Sequence, residues 1–469
     1  MLEDLWTMRH NIRVVSTYPP RKCGLGIFSQ NLLSALEDFA REVGDVKVAA
    51  IDKDGQSYGT PVDLVIDQYS PESWRRATKD IVSVAQHSSD PTIVLLQHEY
   101  GLDPDPNGND ARGTNFVEMA KELHERGFVT LVYLHTVLDS PNGHQKRILQ
   151  DLATATDGLL VPTKSAVDIL ESPTYGIECT KIKHVDHGIR MQSPSQHDRL
   201  AIKRKYGLEN RLLITTLGMH SPGKGLQYGV RAYARFLYES CTQAQRRNMV
   251  YLIAGSYHPD FVRAEGGKLY QEYRATLAQA LEETRLEWCE VKELGCTDFA
   301  RCDIVFLNAF LDERILVDLY AATNIMLLPY RNTQQISSGV LADTVGSGRV
   351  AIATKFRYAM ELLNPESRGK QGLVIGSRAR GILVDPGEAS VEQIAQALDY
   401  LVFNADKRLA MERRAHRRGY EMRWDNTAWA MLQYIFFLEE ERQISTGRGV
   451  TFERGKESAF ERLSGLALV

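Results

Sequence analysis

From Asn11 onward, short apolar runs of strand length alternate with amphipathic stretches of helical period. In the first half the runs are "IRVVSTY", "VKVAAID", "TIVLLQH", "FVTLVYLH" and "GLLVPT", and "GIFSQNLLSALEDFAREV" is typical of what separates them. Such alternation predicts βαβ units around a parallel sheet. After Gly188 the same grammar restarts: "RLLITTLGM", "MVYLIAGS", "IMLLPY" and "RVAIAT" precede helical stretches that include "LQYGVRAYARFLYES" and "VEQIAQALDYLVF". The class is therefore α/β, with two doubly wound Rossmann-like halves joined near residues 190–200, where "MQSPSQHDR" is polar and holds Pro194. "WDNTAWAMLQYIFFLEEERQ" reads as one amphipathic helix, and "STGRGVTFERGKESAFERL" beyond it has the composition of a loosely ordered tail. The expected segments are a first domain over 1–192, a second over 193–418, a helix over 419–442 returning to the first domain, and a polar tail over 443–469.

Composition narrows the class. The chain has 469 residues, 43% hydrophobic and 25% charged, which fits two soluble globular domains. The formal charge of -4, from 56 Lys and Arg against 60 Asp and Glu, lacks the positive surplus of a phosphate-backbone binder, so no nucleic-acid partner is expected. No apolar run reaches membrane-spanning length, and "MLEDLWTMRHNIRVV" has no long apolar core, so a cytoplasmic location is expected. The basic cluster Arg413, Arg414, Arg417 and Arg418 reads as a solvated helix face, with weak peripheral membrane contact as the alternative. The six cysteines are thinly spread, as reduced thiols are. Cys289, Cys296 and Cys302 are separated by six and five residues, which is not the spacing of structural zinc, and no metal site is expected. "DPDPNGND" opens like a calcium loop at Asp103, Asp105 and Asn107, but its twelfth position is Thr114 and two prolines interrupt it, so a polar loop is expected.

Open parallel sheets bind ligands beyond the carboxyl ends of their strands, which directs attention to the loops there. After the first strand, "STYPPRKCGLGIFSQNLL" places Gly24 and Gly26 just before a helix, where a backbone can approach an anion and unpaired N–H groups can meet it. Ser29 stands where a dinucleotide fingerprint would need its third glycine. "TTLGMHSPGKGLQYGVRAY" sets Lys224 between Gly223 and Gly225 at another helix start; Gly225 where a P-loop carries Ser or Thr removes the usual magnesium ligand. "QISSGVLADTVGSG" supplies a third start with Ser337, Ser338 and Gly339. Each alone reads equally as a capped turn. Three together, drawn from both halves, point to one anionic ligand in a cleft. His98, His135, His187 and His258 each follow a strand, where a histidine can exchange a proton or simply pack.

In this order, "YPPRKCGLGIFS", "QHEYG", "LHTVLDSP", "DHGI", "GKGLQYGVRA", "YLIAGSYHPD", "PYRNTQQISSGVLA" and "YAMELL" resemble retaining glycosyltransferases of family 4, of GT-B architecture, and within them a bacterial subgroup carrying the QISSG motif. The resemblance runs from about Asn11 to about Tyr434. It implies transfer of a hexose, mannose or glucose, from a GDP- or UDP-sugar to a sugar or sugar-containing acceptor. No metal and no permanently bound cofactor is implied. The first domain would take the acceptor and the second the nucleotide sugar, with Lys224, Ser338, Gly339 and, from the first domain, Gly24 and Gly26 on the diphosphate. His135 and Ser337 would lie beside the sugar. The family's two acidic positions fall on Gln335 and Asp343, the second holding the ribose. An arginine common in relatives is Met219 here, so that phosphate cation is either replaced by His220, Arg331 or Lys355 or simply absent. The segment "NPESRGKQGLVIGSRARGILVDPG" is long for the family, and Lys355 and Arg357 beside it would suit a phosphorylated acceptor or face solvent. Glutamine at 335 can hydrogen-bond a sugar but cannot attack it. The alternatives are a phosphorylase or epimerase on the same architecture, or a degenerate nucleotide-sugar binder.

Overall fold

The computed structural model describes residues 9–104, 112–189, 196–294, 299 and 302–445. Two parallel sheets of seven strands each organise the chain. The first contains β1 (His10–Ser16), β2 (Val43–Asp52), β3 (Val62–Asp67), β4 (Thr92–His98), β5 (Val129–Leu134), β6 (Gly158–Val161) and β7 (Ile182–His184), in the order β3-β2-β1-β4-β5-β6-β7. The second contains β8 (Leu212–Leu217), β9 (Met249–Ala254), β10 (Trp288–Val291), β11 (Ile304–Leu307), β12 (Ile325–Leu328), β13 (Val350–Thr354) and β14 (Gly381–Val384), in the order β10-β11-β9-β8-β12-β13-β14. Helices fill the crossovers, among them α1 (Gly24–Glu37), α2 (Gln196–Lys205), α3 (Leu226–Ser240), α4 (Gly339–Gly346), α5 (Ala405–Glu421) and α6 (Trp424–Ser445).

The central strands are apolar because helices cover both of their faces. Val14, Leu96, Leu131 and Val132 in the first sheet, and Ile214, Leu252, Ile253 and Leu327 in the second, are fully buried. In each sheet the connection reverses direction once, between β1 and β4 and between β8 and β12. That reversal opens a crevice at the carboxyl edge, where ligands of such sheets bind.

Contacts divide the chain into two compact units, one running to Asp186 and resuming at Trp424, the other spanning His187–Arg423. α6 packs on α1 in the first unit, with Trp429 stacked on Phe39 at 5.5 Å. Its far end is held by Arg442, whose guanidinium meets Asp157 at 3.0 and 2.8 Å and donates to the carbonyls of Gly127 and Phe128 at 2.7 and 2.8 Å. Gly158 admits this helix, since a Cβ there would sit 2.4 Å from the Tyr434 hydroxyl oxygen.

The polar stretch expected as a linker is half helix. α2 occupies it from Gln196, with Asp198 in its first turn and Lys203, Arg204 and Lys205 in its last, the arrangement a helix dipole favours. Residues 190–195, the calcium-like loop from Asp105, Cys296 and the tail beyond 445 lie outside the described residues. Among the described residues, no helix is long and apolar enough to cross a membrane. The basic cluster on α5 is divided: Arg414 turns in to the Ala379 carbonyl at 2.7 Å and Arg418 pairs with Glu421 at 2.7 Å, which leaves Arg413 and Arg417 exposed.

Candidate functional site

In the second unit, the loops leaving β8 and β12 meet at the sheet's reversal. Gly218 after β8 and Gly255 after β9 carry φ of +109° and +150°, and a Cβ on Gly255 would fall 2.0 Å from the Gly218 carbonyl oxygen, so the loops after β8 and β9 touch backbone to backbone as well. The chain then makes a short turn, Pro222–Lys224, and Gly225 starts α3 with φ of +61°. A Cβ on Gly225 would lie 2.1 Å from the Pro329 carbonyl oxygen. Glycine is demanded twice there, by conformation and by space. Gly223 is under neither demand, because its φ is ordinary and the nearest atom to an added Cβ is 3.8 Å away.

This approach puts Lys224 against the loop after β12. Its Nζ lies 3.9 Å above the Tyr330 ring centre, and the Arg331 N–H donates to the Gly223 carbonyl at 2.8 Å. Lys224 is half-buried and has no carboxylate partner among the described residues. A cation on an aromatic face without a counter-charge is a ready seat for an anion.

α4 begins beside it, and the methyl of Val340 is 3.5 Å from where a Gly218 Cβ would be. Ser338 is its N-cap, the hydroxyl accepting from the Leu341 N–H at 3.3 Å, while Gly339 is exposed and its N–H group opens the helix. Gln335 braces the turn ahead of α4: its Nε2 donates to the Ser337 carbonyl at 2.6 Å, and its own carbonyl accepts from the Tyr358 N–H at 3.1 Å. Asp343 is half-buried one turn into α4. His187 approaches the same helix start, with ring atoms 3.9 Å from the position of a Gly339 Cβ.

Of the three replacements considered for Met219, two are removed by geometry. His220 is buried with Nε2 unpartnered, and burial, with Lys224 nearby, lowers its pKa to about 4, so it is neutral near pH 7. Lys355 is tied down by the Asp385 carboxylate at 2.6 Å and by the Lys370 and Gly372 carbonyls, both at 2.7 Å. Burial works to raise the Asp385 carboxyl, but bonds from Lys355, Gly372 and Gln393 outweigh it and hold the group below its usual range. Lys355 therefore anchors the long segment around β14 and is not available to a phosphorylated acceptor. Arg331 is exposed and has no carboxylate partner among the described residues.

In the first unit, the loops after β1, β4 and β5 meet at the other reversal. Gly24 and Gly26 lie inside the first turn of α1, not ahead of it, and Cys23 is the N-cap, its thiol accepting from the Gly26 N–H at 3.3 Å. Gly24 is exposed, and a Cβ on it would meet nothing within 4 Å. Phe28 of α1 packs edge-on against His135 at 4.7 Å. His135 Nε2 donates to Gln97 Oε1 at 2.7 Å, which fixes the ring at the end of β5. His98, next along β4, is fully buried between Tyr100 and Phe116, with neither ring nitrogen hydrogen-bonded, and burial lowers its pKa to about 4. It is a packing residue.

Glu99, in "QHEYG", carries no signal in the sequence that sets it apart from an ordinary polar loop residue. Its carboxylate accepts from Thr136 Oγ1 at 2.7 Å and from the Tyr100 N–H at 3.0 Å, and burial raises its pKa against those bonds. An acid at the end of β4 joined to the residue after His135 places two proton-bearing groups at one crevice.

No family model and no curated protein matches the chain. Solved structures do. The Anabaena protein Alr3699/HepE, in complex with UDP, superposes with a TM-score of 0.63 at 14% identity, over 91% of this chain and 99% of that one. Sucrose-phosphate synthase of Thermosynechococcus elongatus gives 0.62 at 14% identity over 94% and 100%. The α,α-trehalose-phosphate synthase of Burkholderia xenovorans, in complex with glucose-6-phosphate, gives 0.61 at 14% identity over 92% and 100%. At this identity the likeness is one of fold: the chain has the GT-B fold, built from two Rossmann-like parallel sheets.

Proposed function

We propose that the protein is a retaining glycosyltransferase that moves a hexose, glucose or mannose, from a nucleoside diphosphate to a sugar-containing acceptor. The observation that carries this is Lys224, half-buried on Tyr330 without a counter-charge, beside the start of α4 at the reversal of the second sheet. UDP-glucose is the first donor to test, because the Anabaena neighbour was determined with UDP and with UDP-glucose; a GDP-sugar is the second.

In this reading the diphosphate lies against Lys224 and the N–H groups at Gly339, with Arg331 supplying the second cation in place of the arginine that Met219 lacks. Asp343 accepts from the ribose hydroxyls. The bond from the anomeric carbon to the diphosphate oxygen breaks, and negative charge develops on that oxygen, where Lys224 and the helix start stabilise it. The acceptor oxygen bonds to the anomeric carbon on the same face, and its proton passes to the departing phosphate. No protein base is needed for that step. Gln335 fits it, since an amide braced on Ser337 can orient a sugar but supplies no nucleophile. In the first unit, His135 and Glu99 are the groups suited to bind hydroxyls of the acceptor sugar.

Incubation with UDP-glucose or GDP-mannose and a panel of sugar and sugar-phosphate acceptors, followed by NMR of the product, tests the proposal. A new glycosidic bond with the anomeric configuration of the donor is expected. Inverted product, a strict requirement for inorganic phosphate, or binding without transfer or hydrolysis would each overturn it in favour of another mechanism, a phosphorylase or a binder.

A further inference from the structure

The opposite edge of the second sheet holds a buried surplus of positive charge that the donor reading does not use. Lys203 on α2 is 6% exposed, and its Nζ donates to the Arg211 carbonyl and to Asn324 Oδ1, both at 2.7 Å. Arg199, one turn earlier, donates to the Thr323 carbonyl at 2.9 Å. Arg349, directly before β13, is 6% exposed, and its Nε is buried with no partner. Every one of these bonds goes to a neutral group. Arg408 on α5 completes the set. The acid among them is Glu412, 4.0 Å from Arg408, with its Oε1 buried and unpartnered. Among the described residues, Arg199, Lys203 and Arg349 make no ion pair. Glu412 is thus the one carboxylate set against Arg199, Arg349 and Arg408, and Lys203 adds a further cation beside those arginines.

Uncompensated buried charge is costly, and a protein meets the cost by discharging a group or by taking up a counter-ion. Burial, and after it the neighbouring arginines, lower Lys203 to about 7; burial, and then Arg349, lower Arg199 to about 10; burial lowers Arg349 as well. Burial also raises Glu412 against the pull of its three arginines. The mutual lowering of the cations marks a charge surplus.

We propose that this cluster is a binding site for a small oxyanion, a phosphate or phosphate monoester, held between Arg199, Lys203, Arg349 and Arg408. Donor capacity is in place: Lys203, when protonated, has a third Nζ proton beyond the two it uses, Nε of Arg349 is without a partner, and Arg199 uses one of its five N–H groups. Guanidinium forks match oxyanions by paired hydrogen bonds, which chloride cannot reciprocate. Arg199 and Arg408 are half-buried and reach the surface, whereas Lys203 and Arg349 are buried beneath it. The site is separate from the donor loops, because those follow the carboxyl ends of β8 and β12, whereas Arg199 and Lys203 bond to Arg211, Thr323 and Asn324 at the amino ends of β8 and β12 and Arg349 precedes β13, a strand length of about 20 Å away. It does not depend on the donor reading.

Calorimetric titration of the full chain with inorganic phosphate and with glycerol phosphate, at ionic strength matched by sodium chloride, tests the site. Saturable binding is expected, retained in Lys224→Ala and weakened at least tenfold in Arg199→Gln and Arg349→Met. Arg199 is only half-buried, so its variant keeps the test valid if the Arg349 variant does not fold. Equal affinity for both probes assigns the site to the phosphate group, and preference for the monoester assigns it to a phosphorylated metabolite. Sulfate, which does not titrate, should bind at pH 8 with uptake of a proton by Lys203, read from heats in buffers of different ionisation enthalpy. Absence of saturable binding, or binding lost in Lys224→Ala and kept in Arg199→Gln, would overturn the proposal; the second result would leave the donor site standing.

Discussion

Gly225→Ala should be far more damaging than Gly223→Ala, although the two glycines flank the same lysine. At Gly225 the backbone φ is +61°, and leaving glycine there costs about 1–2 kcal/mol for any residue with a Cβ. The new Cβ would also fall 2.1 Å from the Pro329 carbonyl oxygen, a backbone atom that can retreat only by moving the loop after β12. Together these give a loss of about 3 kcal/mol. At roughly 2 cal/mol/K per residue of unfolding entropy, that lowers the midpoint of the second unit by about 6 °C. At Gly223 the methyl meets nothing closer than 3.8 Å at an ordinary φ, so the midpoint should stay within about 1 °C, or rise through the stiffer unfolded chain. Calorimetric melting of both variants in parallel reads the difference. A Gly225→Ala midpoint indistinguishable from that of Gly223→Ala would refute the claim that the two loops are locked at this glycine.

Lys224→Ala should lower transfer turnover by about 10²-fold or more with little change in melting, since the side chain makes no protein ion pair; unchanged turnover would remove it from the site. The His98 ring has a folded pKa of about 4 against 6.5 when unfolded, so the unfolded state binds the extra proton in between, and stability is complete above pH 6.5 and lost as pH falls toward 4. Urea unfolding at pH 7 and pH 5 should show about 2 kcal/mol of acid loss in the native chain that His98→Phe does not show; equal losses would refute the buried neutral ring. Arg442→Ala strips Asp157 and two carbonyls of their partner and should destabilise the first unit by about 2–3 kcal/mol in the same assay, with no effect if the end of α6 is unanchored.

Strands at the centre of each sheet are legible in the sequence because burial on both faces makes them unbroken apolar runs, as in "TIVLLQH" and "MVYLIAGS". β3, "VDLVID", and β10, "WCEV", escape that pattern because they are edge strands with exposed residues and alternating polarity, and β14 is four residues inside a segment that reads as an insertion. The three helix starts are visible because N-cap chemistry is local. What is not local stays hidden. Nothing in "SPGKG" distinguishes Gly223 from Gly225 until the carbonyl of Pro329, a hundred residues on, is brought against one of them. Lys355 looks like a free cation beside a donor loop until Asp385 and two carbonyls close around it. The cluster on α2 is scattered from Arg199 to Glu412 and has no motif at all.

The central claim, that Lys224 and the start of α4 hold a nucleoside diphosphate, is tested most directly by calorimetric titration of the full chain and of Lys224→Ala with UDP, GDP and UMP. One diphosphate should bind saturably, more tightly than UMP, and lose at least tenfold in affinity in Lys224→Ala. No binding of either diphosphate, or equal affinity in the variant, would contradict the account.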